Sequence, residues 1–323
     1  MQMHEHVLSF LIEDQDAGEF YIDIAKSMSI VNRKLYRQQG LWHVHGACVY
    51  ADVNDANGPG TVGVPFTVAL SGAPRNWVTR NSLVKAFESW KDQQALAYKA
   101  ASPSIKPKWQ DFKVYLNENH RTWIGSKELE PYSGHMFGGI DPFDVGEWKH
   151  SKLVWEELDS SNPSHPTIQK HETDMHILGP DFPGVTGFES VGLIKQYAKS
   201  RSRVQSPDPA TLTSPQDNIY TRSEESIDER AMEIVENMAG DNDQPPYDVD
   251  AYPGGPSNGY EPYLYAFAAN ASTGKRKVTL NGFAVPNGLL EGQFQKSSII
   301  ASEGTPGTGR FWLQLFVSHR EAY

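Results

Sequence analysis

Apolar and polar residues alternate with period two in several short segments of the chain, the pattern of strands with one buried face. In 41–50, "LWHVHGACVY", Trp42, Val44, Cys48 and Tyr50 share one face with Gly46. The same alternation predicts strands over 60–70, 108–116, 151–158, 173–179, 275–285 and 310–317. Long stretches rich in Gly, Pro, Asn and Asp separate them, which suits antiparallel sheets with large loops better than a regular βαβ alternation. Three windows switch to helical spacing. Residues 79–101 put Leu83, Phe87, Trp90 and Ala97 on one stripe behind Thr79 as N-cap. Residues 186–201 open with Thr186 and Glu189 in capping-box register and stack Phe188, Val191, Ile194 and Ala198. Residues 226–240 have the box Ser226/Glu229, a stripe through Ile227, Ala231, Ile234, Val235 and Met238, and Gly240 as a stop. Each helix can bury only one stripe, so each must lie on the sheets or on a neighbouring chain. No repeat and no linker divides the chain, and 201–218 reads as a surface insertion.

With 323 residues the chain can bury a real core. Its net charge of −11 argues against a general nucleic-acid binder, although a local basic patch remains compatible with that total. A single cysteine, Cys48, excludes an internal disulfide and fits a reducing compartment. No apolar run approaches the roughly 20 residues that span a bilayer, so no membrane partner is expected. The N-terminus lacks the basic and small-residue features of a signal peptide, and the expectation is a soluble, intracellular chain.

Motifs that would carry chemistry fail on inspection. "GTPGTGRF" (304–311) approaches a phosphate-binding loop, but Arg310 and Phe311 replace the lysine and hydroxyl residue, and a strand follows where a helix is needed. It reads as a turn into the last strand. His171 and His176 in "HETDMH" are spaced i, i+5 within a strand, so they cannot share a face as a zinc-protease pair does. His4/His6 and His43/His45 could each offer two metal ligands, yet spacing places no third. The acidic run 240–250 has Pro246 and Tyr252 where a calcium loop starting at Asp241 needs glycine and glutamate. No nucleophile elbow, paired-cysteine motif or dinucleotide fingerprint appears. The expectation is therefore no enzyme, no catalytic residues, no cofactor and no metal.

Several strings, in order, carry a resemblance: "VNRKLYRQ" (31–38), "NWVTRNSLVKAFESWKDQQ" (76–94), "KWQDFKVYL" (108–116), "ESVGLIKQY" (189–197), "NDQPPYDVDAYPGG" (242–255) and "NGFAVPNGLLE" (281–291). The set resembles capsid proteins of small circular, Rep-encoding single-stranded DNA viruses from environmental samples, and it spans most of the chain. The resemblance implies an all-β fold: a single jelly-roll domain, two packed antiparallel sheets, over 1–323. Helical insertions and long loops would fall near 76–101, 186–204 and 218–262. It also implies a major capsid protein that self-assembles into an icosahedral shell, T=1-like or larger, around a circular single-stranded DNA genome. Such a protein is assembled inside the host cell and resides in the virion.

On that reading Trp77, Phe87, Trp90, Tyr247 and Tyr252 are candidate anchors between subunits. Arg33, Lys34, Arg37, Lys199, Arg201, Arg203, Lys275, Arg276 and Lys277 are candidate nucleic-acid contacts. One departure stands out. Such coat proteins often carry an arginine-rich N-terminal arm, whereas residues 1–30 hold only Lys26 as a basic residue against Glu5, Glu13, Asp14, Asp16, Glu19 and Asp23. Two other readings stay open: a lectin-like β-sandwich stacking exposed aromatics on sugars, and a metal-dependent hydrolase built on His43, His45 and a carboxylate.

Overall fold

The computed structural model describes residues 7–12, 18–51, 66–101, 109–122, 127–133, 141–159, 167–184, 187–202, 263–266, 277–296 and 311–322. The helix expected over 226–240, the acidic–proline loop and the glycine turn at 304–310 lie outside them. In chain order the elements begin β1 (Val7–Ile12), β2 (Gly18–Asp23), α1 (Ile24–Asn32), β3 (Leu41–Ala51) and β4 (Phe66–Gly72). Next come α2 (Trp77–Ala100), α3 (Glu118–Thr122), β5 (Tyr132–Ser133), β6 (Asp141–Pro142), β7 (Lys152–Asp159) and β8 (Thr167–His176). Then follow β9 (Phe182–Pro183), β10 (Phe188–Gly192), α4 (Leu193–Ser202), β11 (Tyr263–Ala266), β12 (Lys277–Leu280), β13 (Phe283–Pro286), β14 (Leu289–Lys296) and β15 (Phe311–Glu321). Strands dominate, and the chain divides into two compact units.

The first unit comprises Met1–Arg75, Asn119–Lys149 and Pro262–Tyr323. One of its two large sheets runs β1-β15-β3-β12, with β13 also on β3; the other runs β11-β4-β14-β2, β5 and β6 form a separate pair, and every one of these pairings is antiparallel. Because β12 and β13 pair with successive parts of the same edge of β3, they act as one strand interrupted at Asn281-Gly282. Alternation explains the core. Across four strands the register aligns Leu8, Leu315, Ala47 and Leu280, then Phe10, Leu313, Val49 and Val278, all buried. Phe20, Ile22, Val68, Leu70, Leu290 and Phe294 of the second sheet join the same cluster. Each such side chain withdrawn from water contributes about 1.5–3 kcal/mol. Gly292 is required there, since a methyl group at that position would overlap the Phe20 ring.

The face expected for β3 changes partway. His45 is an extra residue opposite the Phe316/Val317 step of β15, a β-bulge that reverses the alternation. Trp42 and Val44 therefore enter the core together with Ala47 and Val49, while Cys48 and Tyr50 lie on the other face. Residues 127–131 cover one outer edge of each large sheet, β2 in one and β1 in the other. Tyr21 donates its amide to the Lys127 carbonyl (2.9 Å), Leu129 donates to Tyr21 (2.8 Å), and Pro131 bridges to Phe10. An uncovered edge would invite pairing with another chain.

The second unit, Asn76–Glu118 and His150–Glu261, is inserted in sequence between β4 and β11. Its sheet runs β7-β8-β10-β9, with β8 and β10 parallel. Helix α2 starts earlier than expected: Asn76 is the N-cap, its side-chain oxygen accepting the Thr79 amide at 2.8 Å, and Thr79 is buried within the helix. Thr186 of the expected capping box lies outside the described residues, and Glu189 belongs to β10. Residues 188–192 form a strand, with Ser190–Gly192 paired to β8 and Phe188 to β9, and the helix begins at Leu193. Its start is held by Asp181, which accepts the Gly192 amide (3.0 Å) and Gln196 (3.2 Å) and pairs with Lys195 (3.5 Å) and Lys199 (3.4 Å). The described part of the segment expected as a strand at 108–116, from Trp109 on, forms no regular strand: Lys113 bonds with Ser151, whereas Tyr115 and Leu116 bond with residues 175–178. Gln93 of α2 caps the edge of β7, donating to the Val154 carbonyl (2.7 Å) and accepting its amide (3.0 Å) as a neighbouring strand would.

Candidate functional site

The basic string at 32–37 becomes a rigid turn. Helix α1 ends at Arg33, which takes the left-handed conformation (φ 52°, ψ 40°) and returns its amide to Ser29. Lys34 and Tyr36 also donate their amides to Ser29, at its carbonyl (3.2 Å) and hydroxyl (2.9 Å) respectively. Arg33, Lys34 and Arg37 are exposed, and the Lys34 ammonium lies 5.7 Å from the Tyr36 ring centre. Positive charge here is favoured by the C-terminal end of the helix dipole. The arrangement offers three cations and an aromatic face on a fixed backbone, a combination that can hold phosphate groups and a base.

The start of α1 is fixed by a buried carboxylate. Asp23 caps the helix by accepting the Lys26 amide (3.0 Å) and also accepts Gln38 Nε2 and Trp148 Nε1, each at 3.0 Å. Burial pushes its pKa up, while those hydrogen bonds and the Lys26 charge pull it back. The Lys26 ammonium pairs with Glu128 at 2.8 Å, and His120 stacks on Tyr21 with ring centres 4.8 Å apart. Burial and the Lys26 charge lower the His120 pKa to about 3. Sequence reading missed this cluster because its members lie up to 125 residues apart.

Lys277 of the first unit does not join the α1 turn. Lys277 lies opposite Tyr50 with its ammonium 5.3 Å from that ring, and a hydrogen bond to Tyr50 raises its pKa. Tyr50 is eight residues along β3 from Trp42, roughly 25 Å at the strand rise. In the second unit, Lys199 is drawn to Asp181 and lies over Phe188 (5.9 Å). The side chains of Arg201, Arg203, Lys275 and Arg276, and the residues Tyr247 and Tyr252, lie outside the described part.

Of the expected subunit anchors, Trp90 is buried and packs with half-buried Phe87 against Phe112, ring centres 5.7 Å away in each case. Trp77 stays 40% exposed, edge-on to Tyr197. Sequence reading did not single out Trp109, which is 81% exposed; its signal was a tryptophan between charged residues in "KPKWQD". His43 faces Glu321 at 3.4 Å, and His45 is exposed at the bulge. His176 pairs with Ser190 at 2.6 Å, and its Nε2 lies 3.0 Å from the Pro180 carbonyl. A carbonyl can only accept, so Nε2 carries the proton and Nδ1 accepts from the serine. Both residues are fully buried between β8 and β10, where the pair braces the sheet and no substrate reaches the hydroxyl. Among the described residues no group of three or more His, Cys, Asp or Glu is placed to hold a metal ion. The chain matches no protein family, no curated protein and no solved structure.

Proposed function

We propose that the chain is the coat protein of a small circular single-stranded DNA virus, built on a jelly roll and assembling with copies of itself into a closed shell, with no catalytic role. The strand order carries this reading. Leaving aside the two-stranded β5-β6 pair and counting the strands of the first unit's two large sheets one to eight, with β12 and β13 as one, these sheets run 1-8-3-6 and 5-4-7-2. That is the order obtained when paired antiparallel strands wrap into a double-sheet roll, an architecture used by viral coats. Fold alone does not assign a function; the sequence strings that resemble such coat proteins supply the remaining support.

Imaging the recombinant chain by negative-stain microscopy across salt and pH tests the proposal, and uniform hollow particles are expected. Thirteen acidic and three basic residues within 203–262 account for most of the net charge of −11, so copies repel at low ionic strength. Assembly should therefore improve with added salt or divalent cations. A monodisperse monomer under every condition overturns the proposal.

In this reading the turn after α1 contacts the genome. Replacing Arg33, Lys34 and Arg37 together by alanine should weaken binding of a single-stranded oligonucleotide. The dependence of log K on log salt should become shallower by about 0.7 for each phosphate that the variant no longer neutralises. An unchanged slope in a salt titration would mean that the turn does not touch the strand.

A further inference from the structure

The exposed face of β7 and β8 carries a charge pattern complementary to itself. Val154, in the middle of this face, is 44% exposed. Lys152 and Glu156 flank it on β7; on β8, Asp174 lies opposite Lys152, Glu172 opposite Val154, and Lys170 opposite Glu156. Within the chain Lys152 pairs with Glu172 at 3.2 Å and Lys170 with Glu156 at 3.7 Å, and the four side chains are at least half exposed. The face thus reads plus, apolar, minus on one strand and minus, minus, plus on the next.

We infer that a second copy of this chain docks here, face to face, about a two-fold axis crossing the strands over Val154. That half-turn sets Lys152 on its counterpart's Glu156, Asp174 on Lys170, and Val154 on Val154. Only Glu172 meets its like, and each Glu172 already holds Lys152. A half-turn along the strands would also oppose unlike charges, but it would set Val154 on Glu172; the cross-strand axis puts apolar on apolar. A contact of this kind is isologous and closes on itself, and opposed charges fix its register.

One further observation favours a copy of the chain as the occupant. Among the described residues, six of the seven exposed large apolar ones, Trp77, Val84, Leu96, Trp109, Val154 and Phe182, belong to the second unit, and Val145 to the first. The inference rests on the self-assembly reading for the identity of the partner.

Introducing a thiol on the proposed axis tests the contact in the full chain. The sole native cysteine, Cys48, is buried, so Val154→Cys adds an accessible thiol where the native one is shielded. Under mild oxidation in assembly buffer, most of this variant should run as a disulfide-linked dimer, whereas Val84→Cys on α2 should stay monomeric. By sedimentation, Lys152→Glu should weaken association about tenfold. Adding Glu156→Lys should restore it, because the reversed charges again meet across the axis. Equal cross-linking of the two cysteine variants, or undiminished association of Lys152→Glu, overturns the contact. Particles that form without a Val154→Cys cross-link sink the contact and leave the shell standing. A cross-linked dimer that never yields particles sinks the shell and leaves the contact.

Discussion

Replacing Asp23 by alanine should destabilise the two-sheet unit by about 4 kcal/mol, a large share of the 5–15 kcal/mol that holds a typical domain together. The carboxylate joins four segments: the end of β2, the first turn of α1, Gln38 before β3, and Trp148 of the returning chain. Alanine removes the helix cap, at about 1 kcal/mol. It also leaves the Gln38 and Trp148 donors buried without their acceptor, at roughly 1–3 kcal/mol each. Asparagine separates the two effects. Its carbonyl can still accept the Lys26 amide, but its NH2 would then face the Gln38 and Trp148 donors, so Asp23→Asn should recover only the cap. Urea unfolding followed by near-ultraviolet circular dichroism, which senses Trp148 and Trp42, measures both. A destabilisation below about 1 kcal/mol for the alanine variant would mean that water or a neighbour replaces the carboxylate. The same substitution frees the start of α1, so it should also loosen the basic turn at its end.

The strands legible in the sequence are those with one wet face. β7 alternates exposed Lys152, Val154 and Glu156 with buried Leu153 and Trp155, and the pattern is plain in the letters. β2 was silent for the opposite reason: Phe20 and Ile22 enter the core while Tyr21 and Asp23 are buried on the other face, so nothing alternates. The hairpin from β13 to β14 did carry a local signal. Asn287 and Gly288 both have positive φ (54° and 69°), and Asn-Gly between apolar runs is the usual mark of such a turn. At 186–192 the local signal misled, because pairing with β8 and the His176–Ser190 contact outweighed a good capping sequence. The sites follow the same logic. A helical stripe identifies Phe87 and Trp90 as apolar positions, but only the tertiary partner Phe112 decides that they face inward. The basic turn was legible as a short string of residues, whereas Asp23, which fixes the helix before it, depends on partners far away in sequence.

Stability of the first unit should fall as pH drops below about 6.5, and His120 should be a principal cause. In the unfolded chain this histidine takes up a proton near pH 6.5. In the fold it is buried against Tyr21, close to the Lys26 ammonium, and resists protonation until about pH 3. Across that window the unfolded state binds a proton that the native state refuses, so stability present above pH 6.5 is lost at about 1.4 kcal/mol per pH unit. At pH 5 the loss from this residue is about 2 kcal/mol. Asp23 and Glu128 act in the opposite sense. Burial raises both of their pKa values, so each takes up its proton in the native state before it does so in the unfolded chain. Their contribution, present at low pH and lost as pH rises through the raised values, flattens the decline on the acid side. His176, whose pKa burial also lowers, adds a loss of the same sign as His120 in the second unit. His120→Phe isolates the first effect, since phenylalanine can stack on Tyr21 but cannot titrate. Amide exchange of β2 and β14, measured from pH 7.5 to 4.5, should give a difference between wild type and variant that grows with the one-proton slope. Parallel profiles for the two proteins would mean that His120 reaches water in the native state, and the stacking and burial assigned to it would be wrong.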